Sequence, residues 1–247
     1  MLALSVHNLS VQYQQQKVLE NIHFQVPKGS ITGIIGPNGA GKSTLMKAIL
    51  GLVPITKGKV DVLEQPFTQQ KDLIGYVPQR SEVDWDFPIN ALDVVLMGRY
   101  KHFKRFRPIS KQEKDLAMTF LKEIGMEKYA TRQISQLSGG QQQRIFLARA
   151  LAQNTPIYFM DEPFAGVDAA TEKMMIQLMK QWKNDGKTVI IVHHDLQTVQ
   201  EYFDHVLLLN KKTIGCGKTS DVFHPQNIER TYGGSLTFPP SIAGSSL

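Results

Sequence analysis

Two adjacent carboxylates, one lysine and a glycine-rich turn carry most of the chemistry written into this 247-residue chain. Gly36–Ser43 reads GPNGAGKS and fits G-x-x-x-x-G-K-[ST], with an apolar strand pattern before it (SITGIIG) and a helical pattern after it (KSTLMKAILGL). Glycines let the backbone turn tightly around a phosphate and aim N–H groups inward. The helix N-terminus adds partial positive charge. The Lys42 ammonium can reach β- and γ-phosphates, and the Ser43 hydroxyl can ligate Mg²⁺. Gly36, Pro37, Asn38, Gly39, Ala40, Gly41, Lys42, Ser43 and Thr44 are therefore candidate nucleotide contacts.

A second motif, PIYFMDEP (156–163), is an apolar strand delivering Asp161 and Glu162 at its C-terminal end, where α/β sheets bind ligands. Asp161 is placed to hold the Mg²⁺ hydration shell, and Glu162 to orient and polarise an attacking water. A third, LSGGQQQR (137–144), puts Ser138, Gly139, Gly140 and Gln141 at the start of a helix. Hydroxyl, N–H groups and helix dipole there suit an anion, and a plain helix N-cap explains them as well.

The elements around these motifs alternate. Two strands are expected over 2–13 and 18–26, then a buried strand over 31–35. The helix after the glycine turn should bury Leu45, Ala48, Ile49 and Leu52 and end at Gly51 and Pro54. Short strands follow at 58–63 and 72–77. Composition shifts between Arg80 and Gln136, which reads as a mostly helical insertion containing a helix over 111–124. From Gly139 the order is helix to 152, strand 157–160, helix 169–182, strand 188–192, helix 196–202 and strand 206–209. That alternation means an α/β fold with a parallel sheet. The last residues, SLTFPPSIAGSSL, read as a flexible tail over 235–247.

Composition narrows the class. Hydrophobic residues at 42% and charged residues at 20% describe a globular chain rather than a disordered one. The single cysteine, Cys216, excludes an intrachain disulfide and any multi-cysteine zinc site. Its apolar runs are far shorter than the ~20 residues of a membrane helix, and no signal-peptide pattern opens the chain. A net charge of +6 is compatible with a nucleotide site or an anionic lipid surface.

Taken in order, the motifs resemble those of the nucleotide-binding subunit of ABC transporters, over residues 1–233. They are GPNGAGKS, YVPQ ending in Gln79, LSGGQ, MDEP, FAGVD ending in Asp168, and IVHHDL. The resemblance implies an α/β P-loop NTPase core with a parallel sheet, an N-terminal antiparallel β subdomain and a helical lobe inserted at about 80–152, all within one domain spanning 1–234. It implies ATP and Mg²⁺ as cofactors, with Gln79 near Mg²⁺ and the attacking water. Tyr13 would stack on adenine, unless it is a core strand aromatic. His194, directly before Asp195-Leu196, would contact the γ-phosphate, with His193 the competing candidate. Asp168 would sit at a dimer interface, and Ser138 and Gly140 would complete the ATP site of a second copy. The function so implied is an ATPase that dimerises head-to-tail around two ATP molecules. Its partners would be an integral membrane permease and an extracytoplasmic binding protein, and its place the cytoplasmic side of the membrane.

VDWDFPINALDVVLMGRY (83–100), with PFAGVD and VHHDL, resembles the metal-ion importer branch, most of all the manganese type, with zinc or iron as alternatives. Trp85 and Phe87 either offer a groove for a permease helix or fill the lobe's own core. The run RYKHFKRFR (99–107) reads as a solvated or lipid-facing surface, with permease contact as the second reading, and no nucleic acid is expected. A soluble, non-transport ABC ATPase is the remaining alternative. Only about ninety residues, with no heptad run, separate GPNGAGKS from LSGGQ, which disfavours relatives with coiled-coil insertions.

Overall fold

The computed structural model describes residues 1–103 and 108–234. The expected tail over 235–247 and residues 104–107 of the basic run lie outside them. β1 (Leu2–Tyr13) and β2 (Gln16–Pro27) form a long antiparallel pair. β3 (Ile31–Ile35) leads into α1 (Lys42–Ile49). β4 (Lys57–Val62), β5 (Gln65–Pro66), α2 (Phe67–Gln70) and β6 (Ile74–Val77) follow. The helical insertion holds α3 (Ala91–Met97), α4 (Lys111–Glu123) and α5 (Gly139–Gln153). The chain then returns through β7 (Ile157–Asp161), α6 (Ala169–Asn184), β8 (Thr188–His193), α7 (Val199–Tyr202) and β9 (His205–Asn210). β10 (Lys212–Lys218), α8 (Thr219–Val222) and α9 (Pro225–Tyr232) close the described part.

The strands make two sheets, β2-β1-β4-β5 and β10-β9-β3-β8-β7-β6. In the second, β3, β6, β7, β8 and β9 are parallel and β10 pairs antiparallel with β9. Both faces of the inner strands β3, β7, β8 and β9 are covered, so they read as near-continuous apolar runs whose side chains alternate between two cores, while the edge strand β10 is only half-buried. Ile34, Ile157, Phe159, Ile190, Val192, Leu207 and Leu209 point to α1 and the antiparallel sheet. Tyr158, Met160, Val189, Ile191, Val206 and Leu208 point to the opposite core, with α3, α5 and α6. Each such side chain contributes about 1.5–3 kcal/mol of burial.

Register aligns the functional strand ends. Ile35 pairs with His193, Val192 with Asp161, and Met160 with Val77. The residues just beyond those pairs therefore emerge side by side along one carboxyl edge: the glycine turn, His194, Glu162 and Gln79.

Some local expectations change. Leu52 is 59% exposed because α1 stops at Ile49, one turn earlier than its apolar spacing suggests. Asp72 lies in a 3₁₀ turn, so β6 begins at Ile74. The helix expected over 196–202 begins only at Val199. Asp195 holds the preceding residues in a turn, its Oδ1 accepting from the Gln197 N–H at 2.9 Å. β10, α8 and α9 have no counterpart in the sequence reading. Cys216 is half-buried, and burial pushes its thiol pKa up, away from reactivity. No helix among the described residues is long and apolar enough to cross a membrane.

A candidate nucleotide site at the carboxyl edge of the parallel sheet

The glycine turn is shaped by what surrounds it. A Cβ on Gly36 would stand 2.1 Å from the Leu209 carbonyl oxygen, so only glycine fits where the chain leaves β3. Gly41 is the N-cap of α1 at φ +93°, a left-handed conformation that favours glycine, and no side chain caps this end. The first N–H groups of α1 thus remain available to an anion. Lys42 is 6% exposed, and its Nζ donates to the carbonyls of Gly36 (2.8 Å) and Pro37 (3.0 Å). Burial lowers its pKa, while the nearby carboxylates of Glu162 and Asp161 oppose that shift.

These groups converge on a cavity of about 260 Å³ lined by Val18, Asn38, Gly39, Ala40, Gly41, Lys42, Ser43, Thr44 and Glu162. Its volume lies below the ~300–1,000 Å³ typical of sites that enclose a whole drug-sized ligand. It therefore matches the charged end of a nucleotide. A larger cavity of about 660 Å³ lies on the antiparallel sheet, beside His7, Lys17 and Lys57. That space has neither helix N-terminus nor paired carboxylates, and chemistry rather than size identifies the smaller one.

Asp161, at the end of β7, is fully buried. Its Oδ1 accepts from the Ser43 hydroxyl at 3.3 Å, and its Oδ2 has no hydrogen-bond partner among the described residues. Burial pushes its pKa up to about 6, only partly opposed by Ser43. A buried, half-satisfied carboxylate beside a hydroxyl fits a hard divalent cation, with phosphate oxygens completing the shell. Glu162 follows at φ +47°, a left-handed conformation costly for a non-glycine residue. Its N–H donates to the Val192 carbonyl at 3.2 Å, and its Oε2 accepts from Gln79 Nε2 at 2.9 Å. The strained turn directs the carboxylate away from the line of β7 and onto the cavity.

The two histidines after β8 part company. His193 is 3% exposed, its Nε2 hydrogen-bonds with Thr198 Oγ1 at 2.8 Å, and it packs among Phe164, Tyr202 and Phe203. Burial lowers its pKa to about 4, so it is neutral at physiological pH. His194 is exposed, and of the pair it alone is open to a ligand. Tyr13, at the end of β1, is 45% exposed and is not a core aromatic.

The remaining candidates lie apart from this cavity. Ser138 caps α5, accepting from the Gln141 N–H at 3.4 Å, while Gln141 Oε1 accepts from the Ser138 N–H at 2.9 Å. Asp168 caps α6, accepting from the Thr171 N–H (2.8 Å) and hydroxyl (2.9 Å), and these bonds hold its pKa down. Gly140 leaves the two ends close, since a Cβ there would lie 3.7 Å from Asp168 Oδ2. None of Ser138, Gly139, Gly140, Gln141 and Asp168 lines the phosphate cavity of their own chain. Sequence reasoning missed Val18 in the cavity wall and the ion pair from Lys47 of α1 to Glu82, at 2.5 Å. It also missed the contacts of Arg80, for which the sequence offered only adjacency to Gln79.

Comparison with known proteins agrees with this geometry. Residues 19–165 match the ABC transporter family. The manganese transport system ATP-binding protein MntB of Bacillus subtilis is 55% identical over 96% of this chain and 95% of its own length. The zinc transport system ATP-binding protein TroB of Treponema pallidum is 52% identical over 95% and 88%. Among solved structures, the ADP conformation of the ATP-binding cassette MJ1267 superposes with a TM-score of 0.78 at 27% identity, over 95% of this chain and 100% of that one. The dimeric, post-hydrolysis cassette MJ0796, bound to ADP and phosphate, gives 0.77 at 30%, over 87% and 98%. With a glycine turn, a buried lysine and paired carboxylates gathered at one sheet edge, the chain belongs to the ABC transporter ATP-binding family and is an ATPase.

Proposed function

We propose that this ATPase powers uptake of a divalent metal ion, manganese in the first instance, as a homodimer docked on membrane permease subunits from the cytoplasmic side. An extracytoplasmic binding protein would deliver the ion. The observation that carries the catalytic reading is the single cavity shared by Lys42, Ser43, the N-terminus of α1 and Glu162, with Asp161 beside it as the partner of Ser43. Lys42 and the α1 N–H groups hold the β- and γ-phosphates. Tyr13 stacks on the adenine outside the cavity. Ser43 and Asp161, with Gln79 nearby, would hold Mg²⁺, which supplies charge neutralisation on the phosphate oxygens. Glu162 orients the attacking water and accepts its proton; Gln79 holds that carboxylate in place at 2.9 Å. His194 contacts the γ-phosphate.

Ser138 and Gly140 lie outside the cavity of their own chain, which supports a head-to-tail pair in which each signature closes the partner's site. Asp168, beside Gly140, would lie at that interface. The dimeric MJ0796 structure is a solved precedent for cassette pairing. ATP then joins the copies, and its cleavage lets them part.

For the permease, the lobe offers an apolar groove of about 440 Å³ whose wall includes Met97, Tyr100 and Ile109, each at least 36% exposed. Phe87 is 56% exposed. Trp85 is partly buried: it packs edge-on against Phe146 at 5.0 Å and also lines a surface groove with Gln79, Arg80 and Ser81. Manganese rests on the likeness to MntB, and the similar likeness to TroB keeps zinc as the second reading.

The central test is Glu162→Gln. Hydrolysis should fall by about 10³-fold while ATP drives a stable dimer visible by size-exclusion chromatography. Hydrolysis at the parental rate would remove Glu162 from the role of base. Metal uptake in cells lacking the chain, compared across manganese, zinc and iron, assigns the cargo.

A further inference from the structure

Arg80 directly follows Gln79 and reaches the other way. Gln79 bonds Glu162, whereas Arg80 Nε (3.3 Å) and Nη2 (3.1 Å) both donate to Gln142 Oε1 on the first turns of α5. Gln142 is 4% exposed, and its Nε2 donates to the Ile134 carbonyl at 2.9 Å, so its amide is fixed from both ends. The guanidinium lies against the signature itself, because a Cβ on Gly139 would stand 3.0 Å from Arg80 Cζ. Trp85 braces the arrangement. Its Nε1 donates to the Arg80 carbonyl at 2.7 Å, the guanidinium lies 6.0 Å from its ring, and the ring packs on Phe146 of α5. Two residues further on, Glu82 is tied to Lys47 of the phosphate-binding helix.

From this geometry we infer that Arg80 is a positioning residue for hydrolysis, coupling the signature end of α5 to the Gln79–Glu162 pair. The segment 79–82 is pinned to the base, to the signature helix and to α1. A shift of α5 relative to the sheet must therefore break the Arg80 fork or move Gln79 against Glu162. A lysine cannot replace the fork, since it lacks two donors held in one plane. The inference rests on the hydrolytic role of Glu162 proposed above.

The test uses the full-length chain with Mg-ATP, read by phosphate release. Arg80→Ala should lower kcat about tenfold and leave the KM for ATP within about twofold, because displacement of a catalytic group costs rate while the phosphate loop is untouched. Arg80→Lys should restore only a minor part. Gln142→Met removes the same contact from the other side. It should reproduce the loss, and the double variant should lose no more than either single one. In a Glu162→Gln background Arg80→Ala should cost nothing further, since its effect passes through Glu162. A second readout is the fluorescence of Trp85, which should shift when the guanidinium leaves its ring. An unchanged kcat, additive losses, an equal loss without Glu162 or an unshifted Trp85 spectrum would each overturn the inference. Parental hydrolysis by the Glu162→Gln single variant would instead overturn the hydrolytic role itself.

Discussion

Two helices of this protein begin at glycine-rich turns suited to phosphate, and they are finished in opposite ways. α1 starts at Gly41 with no side-chain cap, a buried ammonium and a cavity in front of it. α5 starts at Ser138 with a complete capping box and a serine open to solvent. The first end has polar groups that a ligand must satisfy, and the second satisfies itself. A helix N-terminus is thus an anion site only where the chain withholds its own cap. In α1 the fold withholds it. In α5 an incoming phosphate must compete with the Ser138–Gln141 bond, at 3.4 Å the longer of the two in the box. Under the proposed head-to-tail pairing, this asymmetry leaves one chain with a built half-site and an exposed, incomplete one.

The comparison breaks first at Lys42. In Lys42→Ala the Gly36 and Pro37 carbonyls lose the cation that now binds them and face the phosphates directly. A loss of about 10²–10³-fold in kcat/KM is expected, the scale seen when one charged or oriented donor is removed from a transition state. Nucleotide binding measured by calorimetry should fall with it. Retained affinity would mean that the uncapped helix end suffices alone, and the contrast with α5 would lose its meaning.

The uncapped end was also the more legible in sequence. GPNGAGKS between an apolar run and a helical one specifies turn, helix start and lysine together, and β3, α1 and β7 follow with their ends level. What escaped had no periodic signal. β10 reads KTIGCGK, where two glycines interrupt any alternation, and its pairing depends on β9 beside it. Leu52 kept helical spacing beyond the point where Gly51, at φ +68°, ends the helix. Arg80 looks like any exposed basic residue until the fold brings α5 to within hydrogen-bond reach. Trp85 could have faced either way, and the fold gives it both faces, one packed on Phe146 and one in a groove beside Gln79.

The two ends differ also in what acid can reach. Residues 138–143 read SGGQQQ and hold no titrating side chain, whereas the α1 side of the sheet ends in His193 and His194. His193, at about 4 in the folded protein, titrates below its ordinary value near 6.5. Between those values the unfolded chain binds the extra proton. The stability His193 confers is therefore complete above about pH 6.5 and is lost as pH falls toward 4. His193→Gln keeps a hydrogen-bonding partner for Thr198 and removes the titration. Relative to wild type it should gain about 2 kcal/mol between pH 7.5 and pH 4.5, measured by urea denaturation at each pH. Parallel stability curves would place this imidazole in contact with water.

The smallest effect separates the two duties of Ser138. As a cap it contributes about 1 kcal/mol, and Ser138→Ala should lower stability by that amount in denaturant titration. As a phosphate ligand in a paired copy it should matter to turnover, with a fall of about tenfold in kcat. Either result from alanine alone is ambiguous, because a frayed α5 would also present its glycines poorly. Ser138→Asp resolves this. Aspartate caps a helix about as well as serine and favours the positive end of the dipole, so stability should be kept. Its carboxylate would face the partner's γ-phosphate, and like charges should abolish ATP-driven pairing in a Glu162→Gln background. A stable Ser138→Asp variant that still dimerises on ATP would show that the capped end of α5 never meets the nucleotide, and the two helix starts would then differ in purpose and not merely in finish.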